Sequence, residues 1–373
     1  MKTQFCSRCL LDNTDTKFID FDKDGVCNYC LSYDEQLAVL GPLSQRSNWL
    51  ASKVEEIKKK GKNKPYDCIL GISGGLDSSY MALWAKKVGL RPLLVHMDNG
   101  WNNELAVQNI ASICEILNFD LNTEVLNWEE FKDLQLAYLR ASVIDIEVLT
   151  DHAIAATIYK LAEKYDITYT LNGFNLATEA IMPRGWTYKK QDFSNIKDIA
   201  LKYGGITTFK SLPHLQFWKK IYYDRFLNLD SIYVLNYMDY NKDRAKAELM
   251  KSVNWRDYGG KHHESMFTKF YQNYILPKKF GVDKRKAHLS NLICSGMLDK
   301  QEALKILEEP LYEPIEESRD EEFVLKKLGL TSDEFSEIMK LPVRSHLDFK
   351  TEDHLWELYF KIIGFFKMKR SKN

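Results

Sequence analysis

The sequence predicts an α/β protein with a doubly wound parallel sheet, a four-cysteine module before the sheet and a mostly helical region after it. Three observations support this prediction. Strand-like apolar runs alternate with helix-like segments between residues 66 and 171. Four cysteines form two close pairs near the N-terminus, and from about residue 240 the apolar spacing is mostly helical. Strands that alternate with helices build a parallel sheet covered on both faces.

Length and composition bound the organisation of the chain. Its 373 residues suggest two or three domains, and 45% hydrophobic residues can fill a full core. We divide it into a zinc-binding module over 1–45, a sheet domain over 46–240 and a helical substrate or partner region over 241–373. Lysine plus arginine balance aspartate plus glutamate at 52 each, so no overall basic field indicates nucleic-acid binding.

The expected cellular location follows from two features that the sequence does not show, a signal peptide and a membrane-spanning run. The N-terminus has no long apolar core typical of a signal peptide. No apolar run reaches the roughly 18 residues that a membrane-spanning helix needs. We therefore expect a cytoplasmic protein that is not transmembrane, in which free thiols persist.

The first cysteines have metal-ligand spacing, C-x2-C-x17-C-x2-C, formed by Cys6, Cys9, Cys27 and Cys30. Two CxxC turns offer four sulfurs, and the spacer can fold back as a hairpin, which predicts a zinc-ribbon-like site. Disulfides are the alternative, and a cytoplasmic location disfavours them. Four thiolates leave no open coordination position on the metal, so the zinc is expected to be structural and to stabilise the fold of residues 1–35.

The elements of the sheet domain follow in order along the chain. A helix over 47–60 ends at a break over 61–65. Strands are then predicted near 66–72, 92–97, 121–126 and 167–171, and helices over 78–88, 103–117 and 151–164.

The junction between the first strand and its helix carries the most informative segment, Ser73-Gly74-Gly75-Leu76-Asp77-Ser78-Ser79. Its two glycines permit positive φ and close approach of a ligand to the backbone. The free N–H groups of the first helical turn attract an anion, and the serine hydroxyls add donors. The segment therefore predicts a phosphate site; a plain turn with Asp77 as a cap is the alternative.

Polar clusters also follow two later strands. Asp98-Asn99-Gly100-Trp101 ends one strand, and Asn172-Gly173-Phe174-Asn175-Leu176-Ala177-Thr178-Glu179 ends another. Ligands of parallel sheets bind at the carboxyl ends of strands, so both clusters are expected beside the phosphate site. A turn at Asn99-Gly100 and helix caps at Asn175 and Thr178 are the alternatives. Thr150-Asp151-His152 opens the helix predicted over 151–164, and plain helix capping explains this segment at least as well as a place in the site does.

The pattern S-G-G-x-D-S resembles the PP-loop of the N-type ATP pyrophosphatases, a superfamily with a HUP-like fold that splits ATP into AMP and pyrophosphate. The kinase-type motif G-x-x-x-x-G-K-[ST] is absent from the sequence. The resemblance implies ATP and Mg²⁺. Asp77 is expected to shape the loop or to contact the magnesium, and Asp98, or its neighbouring backbone, is expected to bind the adenosine. The resemblance implies that the nucleotide is also bound by Ser73, Gly74, Gly75, Ser78, Ser79 and Gly173.

The whole set of motifs is similar to the N-acetyl sugar amidotransferases of bacterial surface-glycan pathways, of the O-antigen uronic acid and pseudaminic or legionaminic acid types. Beyond the loop and the cysteine pairs, the resemblance rests on Asp98-Asn99-Gly100-Trp101-Asn102, Gly173-x-Asn175-x-x-Thr178-Glu179, Tyr258-Gly259-Gly260-Lys261-His262, Asp283-Lys284-Arg285 and His288-Leu289-Ser290. It implies that a sugar acetamido group becomes an acetamidino group. The implied substrates are UDP-linked diacetamido uronic acids or nonulosonic acids.

The resemblance also implies roles for residues outside the loop. The reaction centre is lined by Asn175, Thr178 and Glu179. Phosphates or the sugar carboxylate are met by Lys261, Lys284 and Arg285, of which an arginine fork suits a carboxylate best. Glu264 and His262 are candidates for moving a proton from ammonium, with helix packing as the alternative.

The expected ammonia source is a separate protein. A glutaminase of the N-terminal-nucleophile type needs a cysteine at its mature terminus, whereas the first cysteine here is Cys6. The family resemblance implies partner subunits similar to a glutaminase and a cyclase. Two competing interpretations are a PP-loop tRNA-modifying enzyme, such as a thiolase or a lysidine synthetase, and an inactive scaffold that recruits the glutaminase.

Overall fold

The computed structural model describes residues 3–206, 208–257 and 264–370, with side chains up to 361. At its centre is a parallel sheet of five strands in the order β3-β2-β1-β4-β5. The strands are β1 Cys68–Gly71, β2 Pro92–Asp98, β3 Leu121–Val125, β4 Tyr169–Asn172 and β5 Asp230–Tyr233.

The strand order creates a switch point beside β1. The chain moves outward from β1 through β2 to β3 and then returns to the other side of β1 as β4. Leu70 of β1 pairs with Leu94 of β2 on one side and with Leu171 of β4 on the other. A crevice at the carboxyl ends of β1 and β4 is where such sheets bind ligands. The predicted doubly wound sheet is therefore confirmed.

The helices of the described chain cover the sheet and form the C-terminal region. They are α1 Asn28–Leu40, α2 Leu43–Gly61, α3 Leu76–Lys87, α4 Glu104–Leu117, α5 Trp128–Ala141, α6 Val148–Tyr165, α7 Leu176–Glu179, α8 Phe193–Tyr203, α9 Phe217–Tyr222, α10 Lys242–Val253, α11 Met266–Phe270, α12 Leu276–Phe280, α13 Lys284–Cys294, α14 Lys300–Glu308, α15 Pro314–Leu328, α16 Ser332–Lys340 and α17 Asp353–Arg370. As expected, the chain after residue 240 is mostly helical.

Each face of the sheet is buried under helices. Leu70 and Leu94 point to one face, where they join a cluster with Ile57 of α2. Ile69 and Val95 point to the other face and pack near α6. Successive side chains of a strand alternate between faces, so strands covered on both sides are apolar throughout. This double burial explains why the sequence shows continuous apolar runs here.

A further buried cluster joins the three parts of the chain. It includes Cys27 of the cysteine module, Leu139 of α5, and Phe270 and Phe335 of the C-terminal helices. The four-cysteine module, the sheet domain and the helical region thus share apolar contacts, and the boundaries near 45 and 240 remain a proposal. None of the described helices is both long and apolar enough to cross a membrane.

Candidate functional site

The glycine loop lies at the carboxyl end of β1 and leads into α3. Gly74 has a φ of +79°, and a Cβ atom there would lie 2.3 Å from the carbonyl oxygen of Ala106. The Ser73 and Ser78 hydroxyl oxygens are 3.2 Å apart, and the Ser73 N–H donates to Ser78 Oγ at 3.3 Å. The loop therefore closes on itself at the N-terminus of a helix, where an anion is favoured.

The C-terminal side of the molecule holds this loop in place. The Gly74 carbonyl accepts hydrogen bonds from Trp255 Nε1 at 2.9 Å and from Asn109 Nδ2 at 3.3 Å. Asn109 Nδ2 also donates to the Arg256 carbonyl oxygen at 2.8 Å, and Asn109 Oδ1 accepts from the Arg256 backbone N–H at 2.8 Å. The loop conformation therefore depends on the segment that follows α10.

Gly74→Ala is expected to distort the loop, because it combines a strained φ with a backbone clash. The left-handed conformation costs about 1–2 kcal/mol in a residue with a Cβ atom, and the clash with Ala106 adds to that cost. We expect a lower melting temperature and a clear loss of nucleotide affinity, measured by thermal unfolding with and without ATP.

Gly281→Ala is the matched control for this clash. Gly281 also has positive φ, +66°, but a Cβ atom there would meet nothing within 4 Å. Gly281→Ala should therefore lower the stability only by the cost of the left-handed backbone conformation. Equal destabilisation by the two substitutions would contradict a clash at Gly74.

Asp77 lies in the first turn of α3 and is oriented by a buried tyrosine. The Tyr240 hydroxyl donates to Asp77 Oδ1. Burial, followed by the charge of Asp77, raises the pKa of Tyr240, so the phenol stays protonated and remains a donor. Across the loop, Gly173 approaches so closely that a Cβ atom would lie 3.2 Å from Met81 Cε and 3.8 Å from Asp77 Cβ. The end of β4 therefore packs directly against the start of α3.

Two cavities meet at the glycine loop. The first, of about 450 Å³, lies over the ends of β1 and β2 and extends to α6 and to residues 264–272. The second, of about 680 Å³, lies between the start of α3, the end of β4 and α10. Both are lined by Ser73, Ser78, Asp151 and Glu264. Their volumes fall in the range of roughly 300–1,000 Å³ typical of small-molecule sites.

Paired charges line the far side of the first cavity. Lys284 Nζ lies 3.1 Å from Glu147 Oε2, which also accepts from Gln272 Nε2 at 3.2 Å. Lys190 Nζ lies 3.0 Å from Asp151 and 2.8 Å from Asp145. Burial lowers the pKa of Lys190, but the charges of Asp151 and Asp145 outweigh burial and raise it overall. Both lysines are therefore held beside carboxylates.

His96 is a neutral polar group of the first cavity. Its Nδ1 is 3.0 Å from the Ile72 carbonyl oxygen, and its Nε2 is 3.1 Å from Asn102 Nδ2. The carbonyl needs a donor and the amide NH₂ needs an acceptor, so the proton belongs on Nδ1. Burial lowers the pKa of His96, which keeps the ring uncharged near neutral pH.

Basic residues of α10 face the second cavity. Lys242 and Lys246 both line it, together with Asp77 and Glu179. Lys246 forms an ion pair with Asp257, which also lines the cavity. A helix start, lysines and carboxylates in one polar cavity suit a phosphate chain with a divalent cation. Sequence reasoning did not find Lys242 or Lys246, because charges near a helix start are typical of any solvated helix.

Most of the predicted phosphate and reaction-centre residues that the structure describes meet at this junction. The second cavity is lined by Ser73, Gly75, Asp77, Ser78, Gly173 and Glu179. Lys284 lines the first cavity, as do Asn99 and Asn102 of the motif after β2. Lys261 and the rest of Tyr258-Gly259-Gly260-Lys261-His262 lie outside the described residues.

Some predicted residues lie elsewhere and line neither cavity. Ser79 is fully buried, and its hydroxyl has no hydrogen-bond partner among the described residues. Arg285 pairs with Asp283 at 2.8 Å and donates to the Glu309 carbonyl oxygen at 2.8 Å. The structure therefore does not bring Ser79 to phosphates, nor Arg285 to a sugar carboxylate, because burial and local pairing occupy these side chains.

Three other predicted residues support the site from behind. Asn175 Oδ1 caps α7 by accepting from the backbone N–H of Thr178 at 3.0 Å and its hydroxyl at 2.9 Å. Asn175 and Thr178 are both buried, and α7 ends in Glu179 at the second cavity. Asp98 accepts from the Gly100 N–H at 2.9 Å and from Asn102 Nδ2 at 3.0 Å. Asn175 is therefore a helix cap, and Asp98 closes the turn at Asn99-Gly100, in agreement with the two alternatives given for these motifs.

The four N-terminal cysteines form a compact, buried cluster. Their sulfurs lie within 4.8 Å of one another, with separations of 3.9 Å for Cys6–Cys30, 3.7 Å for Cys9–Cys27 and 3.7 Å for Cys27–Cys30. Four sulfurs about 2.3 Å from a tetrahedral zinc ion lie about 3.8 Å apart. The spacing, the thiol chemistry and the burial all fit Zn²⁺.

The cysteine module is docked on α13 and α14. Lys286 of α13 reaches Asp12 at 2.7 Å and Asp15 at 2.9 Å, and Lys300 Nζ donates to the Cys6 carbonyl oxygen at 2.8 Å. The sulfur of Cys294 lies 3.6 Å from that of Cys30. The predicted metal module is therefore joined to the C-terminal region, a contact that no local sequence pattern reveals.

The fold and the loop define a parallel α/β protein whose glycine loop has the S-G-G-x-D-S pattern, followed by a helical C-terminal region. Within that region, residues 264–363 match the family model described as "LPS biosynthesis protein WbpG-like, C-terminal domain". This stretch is about a quarter of the chain, and the similarity to that family is shown for it alone. It contributes Glu264, Gln272 and Lys284 to the first cavity.

Other comparisons give more distant similarity. No curated protein matches the chain. Among solved structures, the chain is similar to an NH3-dependent NAD synthetase from Campylobacter jejuni, with 16% identity, a TM-score of 0.28, and coverage of 56% of this chain and 84% of that one. It is also similar to an NMN synthetase from Francisella tularensis, with 14% identity, a TM-score of 0.31, and coverage of 81% and 98%.

Proposed function

We propose that the protein is an ATP-dependent amidotransferase that activates a sugar acetamido group as an AMP ester and replaces its oxygen with ammonia. One observation carries this proposal. The glycine loop lies where two cavities meet, and one of these cavities is built partly from a domain of the LPS biosynthesis type. A phosphate chain and an organic substrate can therefore be bound on two sides of the same loop.

The phosphates of ATP fit the second cavity. Ser73, Ser78 and the N-terminus of α3 offer donors, and Lys242 adds positive charge. The carboxylates of Asp77 and Glu179 line the same cavity and would hold Mg²⁺. Bound magnesium would neutralise charge on the departing pyrophosphate. The α-phosphorus would then lie near the junction, within reach of a group in the first cavity.

The sugar fits the first cavity, which is broad and carries polar groups of both signs. Lys284 is the described cation best placed for a sugar carboxylate, with Glu147 fixing its position. Asn102, whose amide nitrogen is held by His96, lines this cavity with an amide oxygen suited to sugar hydroxyl or amide groups. This arrangement favours an acidic acetamido sugar, such as a UDP-linked diacetamido uronic acid or a nonulosonic acid.

The reaction balances in two steps. The amide oxygen attacks the α-phosphorus, the bond to pyrophosphate breaks, the amide proton leaves with the pyrophosphate, and a neutral imidoyl adenylate forms. Ammonia then forms a bond to the activated carbon, and the bond from that carbon to the AMP oxygen breaks. The enclosing cavities would protect the adenylate from water. We propose that separate glutaminase-like and cyclase-like subunits supply the ammonia.

Tracing the acetamido oxygen tests this chemistry. With ATP, Mg²⁺, ammonium and an acceptor sugar labelled with heavy oxygen in its acetamido group, we expect equal AMP and pyrophosphate, an acetamidino product, and the label in the AMP phosphate. Mass spectrometry of both products measures this. A uronic acid and a nonulosonic acid form separate arms of the experiment.

The same experiment has clear contrary results. Release of ADP and orthophosphate would refute cleavage at the α-phosphorus. Turnover with tRNA but with neither sugar would favour the tRNA-modifying interpretation. Glutamine should replace ammonium only after a glutaminase is added; turnover of glutamine by the protein alone would refute a separate ammonia source.

A further inference from the structure

Asp151 is a carboxylate at the junction of the two cavities. It lies in the first turn of α6, yet the helix has no side-chain cap at its N-terminus, so the capping interpretation does not hold. Its side chain lies 3.0 Å from Lys190 Nζ and lines both cavities. About 46% of that side chain is accessible, and this surface faces the space where phosphate and substrate would meet.

The surroundings of Asp151 fix its position without occupying both of its oxygens. Lys190 is shared with Asp145, whose side chain is only 2% exposed and lines neither cavity. Burial raises the pKa of Asp151, Lys190 opposes that effect, and Glu147 and Asp145 add to it. In the part of the chain that the structure describes, Glu264, Lys284 and neutral His96 are the other titratable groups that face the first cavity.

We propose that Asp151 is the base that relays a proton during the amination step, an inference that rests on the proposed function. As ammonia bonds to the activated carbon, its nitrogen becomes positively charged. Asp151 accepts one proton from that nitrogen and returns it to the sugar nitrogen as the bond between carbon and the AMP oxygen breaks. The product is an amidinium cation, and the carboxylate is regenerated.

A carboxylate suits this step because the charge changes during the reaction. The acetamido group of the substrate is neutral, whereas the amidinium group of the product is a planar cation. Its N–H groups can donate to a carboxylate in the way that those of an arginine guanidinium do. The attraction therefore grows as the carbon–nitrogen bond forms, which is how a charged group accelerates a reaction rather than merely binding substrate. Lys190 positions the carboxylate and opposes the rise in its pKa.

Asp151→Asn separates the two halves of the reaction. We expect exchange of labelled pyrophosphate into ATP, measured with sugar but without ammonia, to stay close to the wild-type rate. Formation of the acetamidino sugar should fall by about 100-fold or more, the usual cost of losing a base. Asp151→Glu should restore part of the lost rate. Glu163→Gln, which removes a charge near the other end of α6, should match the wild type in both assays.

A pH profile distinguishes a base from a structural role. At a constant concentration of uncharged ammonia, the wild-type amination rate should fall as pH drops through the pKa of Asp151. Because that pKa is raised, the loss begins above the usual aspartate value of about 3.9. Asp151→Asn should lack this acidic limb.

The contrary results distinguish a failure of the Asp151 assignment from a failure of the proposed amidotransferase function. Amination by Asp151→Asn at the wild-type rate, or equal loss of exchange and amination, would overturn the base assignment alone. A wild-type protein that makes no acetamidino sugar under these conditions would instead overturn the proposed function.

Discussion

Replacing Asp77 with alanine is expected to abolish AMP formation while leaving the protein folded. Asp77 is a carboxylate of the second cavity, beside the loop serines, where magnesium and the phosphates of ATP would bind. Its loss would leave charge on the departing pyrophosphate uncompensated, and such electrostatic losses cost about 100-fold to 1,000-fold in rate. Chromatographic measurement of AMP, with circular dichroism to check folding, gives the result.

Tyr240→Phe is the control that separates charge from loop shape. It removes the hydrogen bond from the Tyr240 hydroxyl to Asp77 but keeps the carboxylate. If Asp77 acts through magnesium and phosphate, Tyr240→Phe should retain most AMP formation and respond normally to added Mg²⁺. An equal loss in both variants would assign Asp77 to loop shape. Retained AMP formation in Asp77→Ala would remove the pyrophosphatase assignment.

The sheet could be predicted because local and tertiary signals agree in it. Continuous apolar runs identified β1, β2 and β4, since both faces of these strands are buried. β5 lacked this signal because it is a short edge strand in which only Ile232 is buried. α5 was missed as well, although Asn127 caps it by accepting from the Glu130 N–H at 3.0 Å. A strand was predicted before this cap, near 121–126, but none before 167 on its other side, so the context was too weak to identify a helix.

The candidate site was predictable only where one short segment carries the chemistry. The glycine loop is such a segment, because its turn, helix start and hydroxyls are consecutive in sequence. Asp151 and Lys190 are far apart in the chain, and each alone is typical of an ordinary helix start or surface charge. Their role follows from a 3.0 Å contact that only the tertiary fold creates. The same reason explains why the role of Arg285 was mispredicted. Arg285 donates to the Glu309 carbonyl oxygen just after α14, and the motif Asp283-Lys284-Arg285 gives no sign of this contact.

Removing zinc is the second large effect that we expect, and it should act on stability rather than on the phosphate loop. Structural zinc sites contribute about 10–16 kcal/mol in isolated zinc-finger peptides. The four cysteines here form part of the large buried cluster, and their module contacts α13 and α14. Cys27→Ser should therefore lose the metal, lower the melting temperature by several degrees or more, and expose residues 3–35 to protease.

Cys114→Ser provides the matched control, because Cys114 is a half-buried thiol that belongs to a different apolar cluster. It should keep the full zinc content, measured by atomic absorption, and the wild-type protease pattern. A wild-type protein that is metal-free yet equally protected over residues 3–35 would contradict the zinc assignment.

A comparison of chelator with reductant tests zinc against the disulfide alternative. The closest of the measured sulfur separations among Cys6, Cys9, Cys27 and Cys30 is 3.7 Å, whereas a disulfide needs about 2.05 Å. A strong chelator should therefore destabilise the protein, and a phosphine reductant should not. Cys294→Ser should retain zinc, because four other sulfurs complete a tetrahedral shell. If reductant lowered the melting temperature and chelator did not, the cysteine module would be held by disulfides instead of a metal.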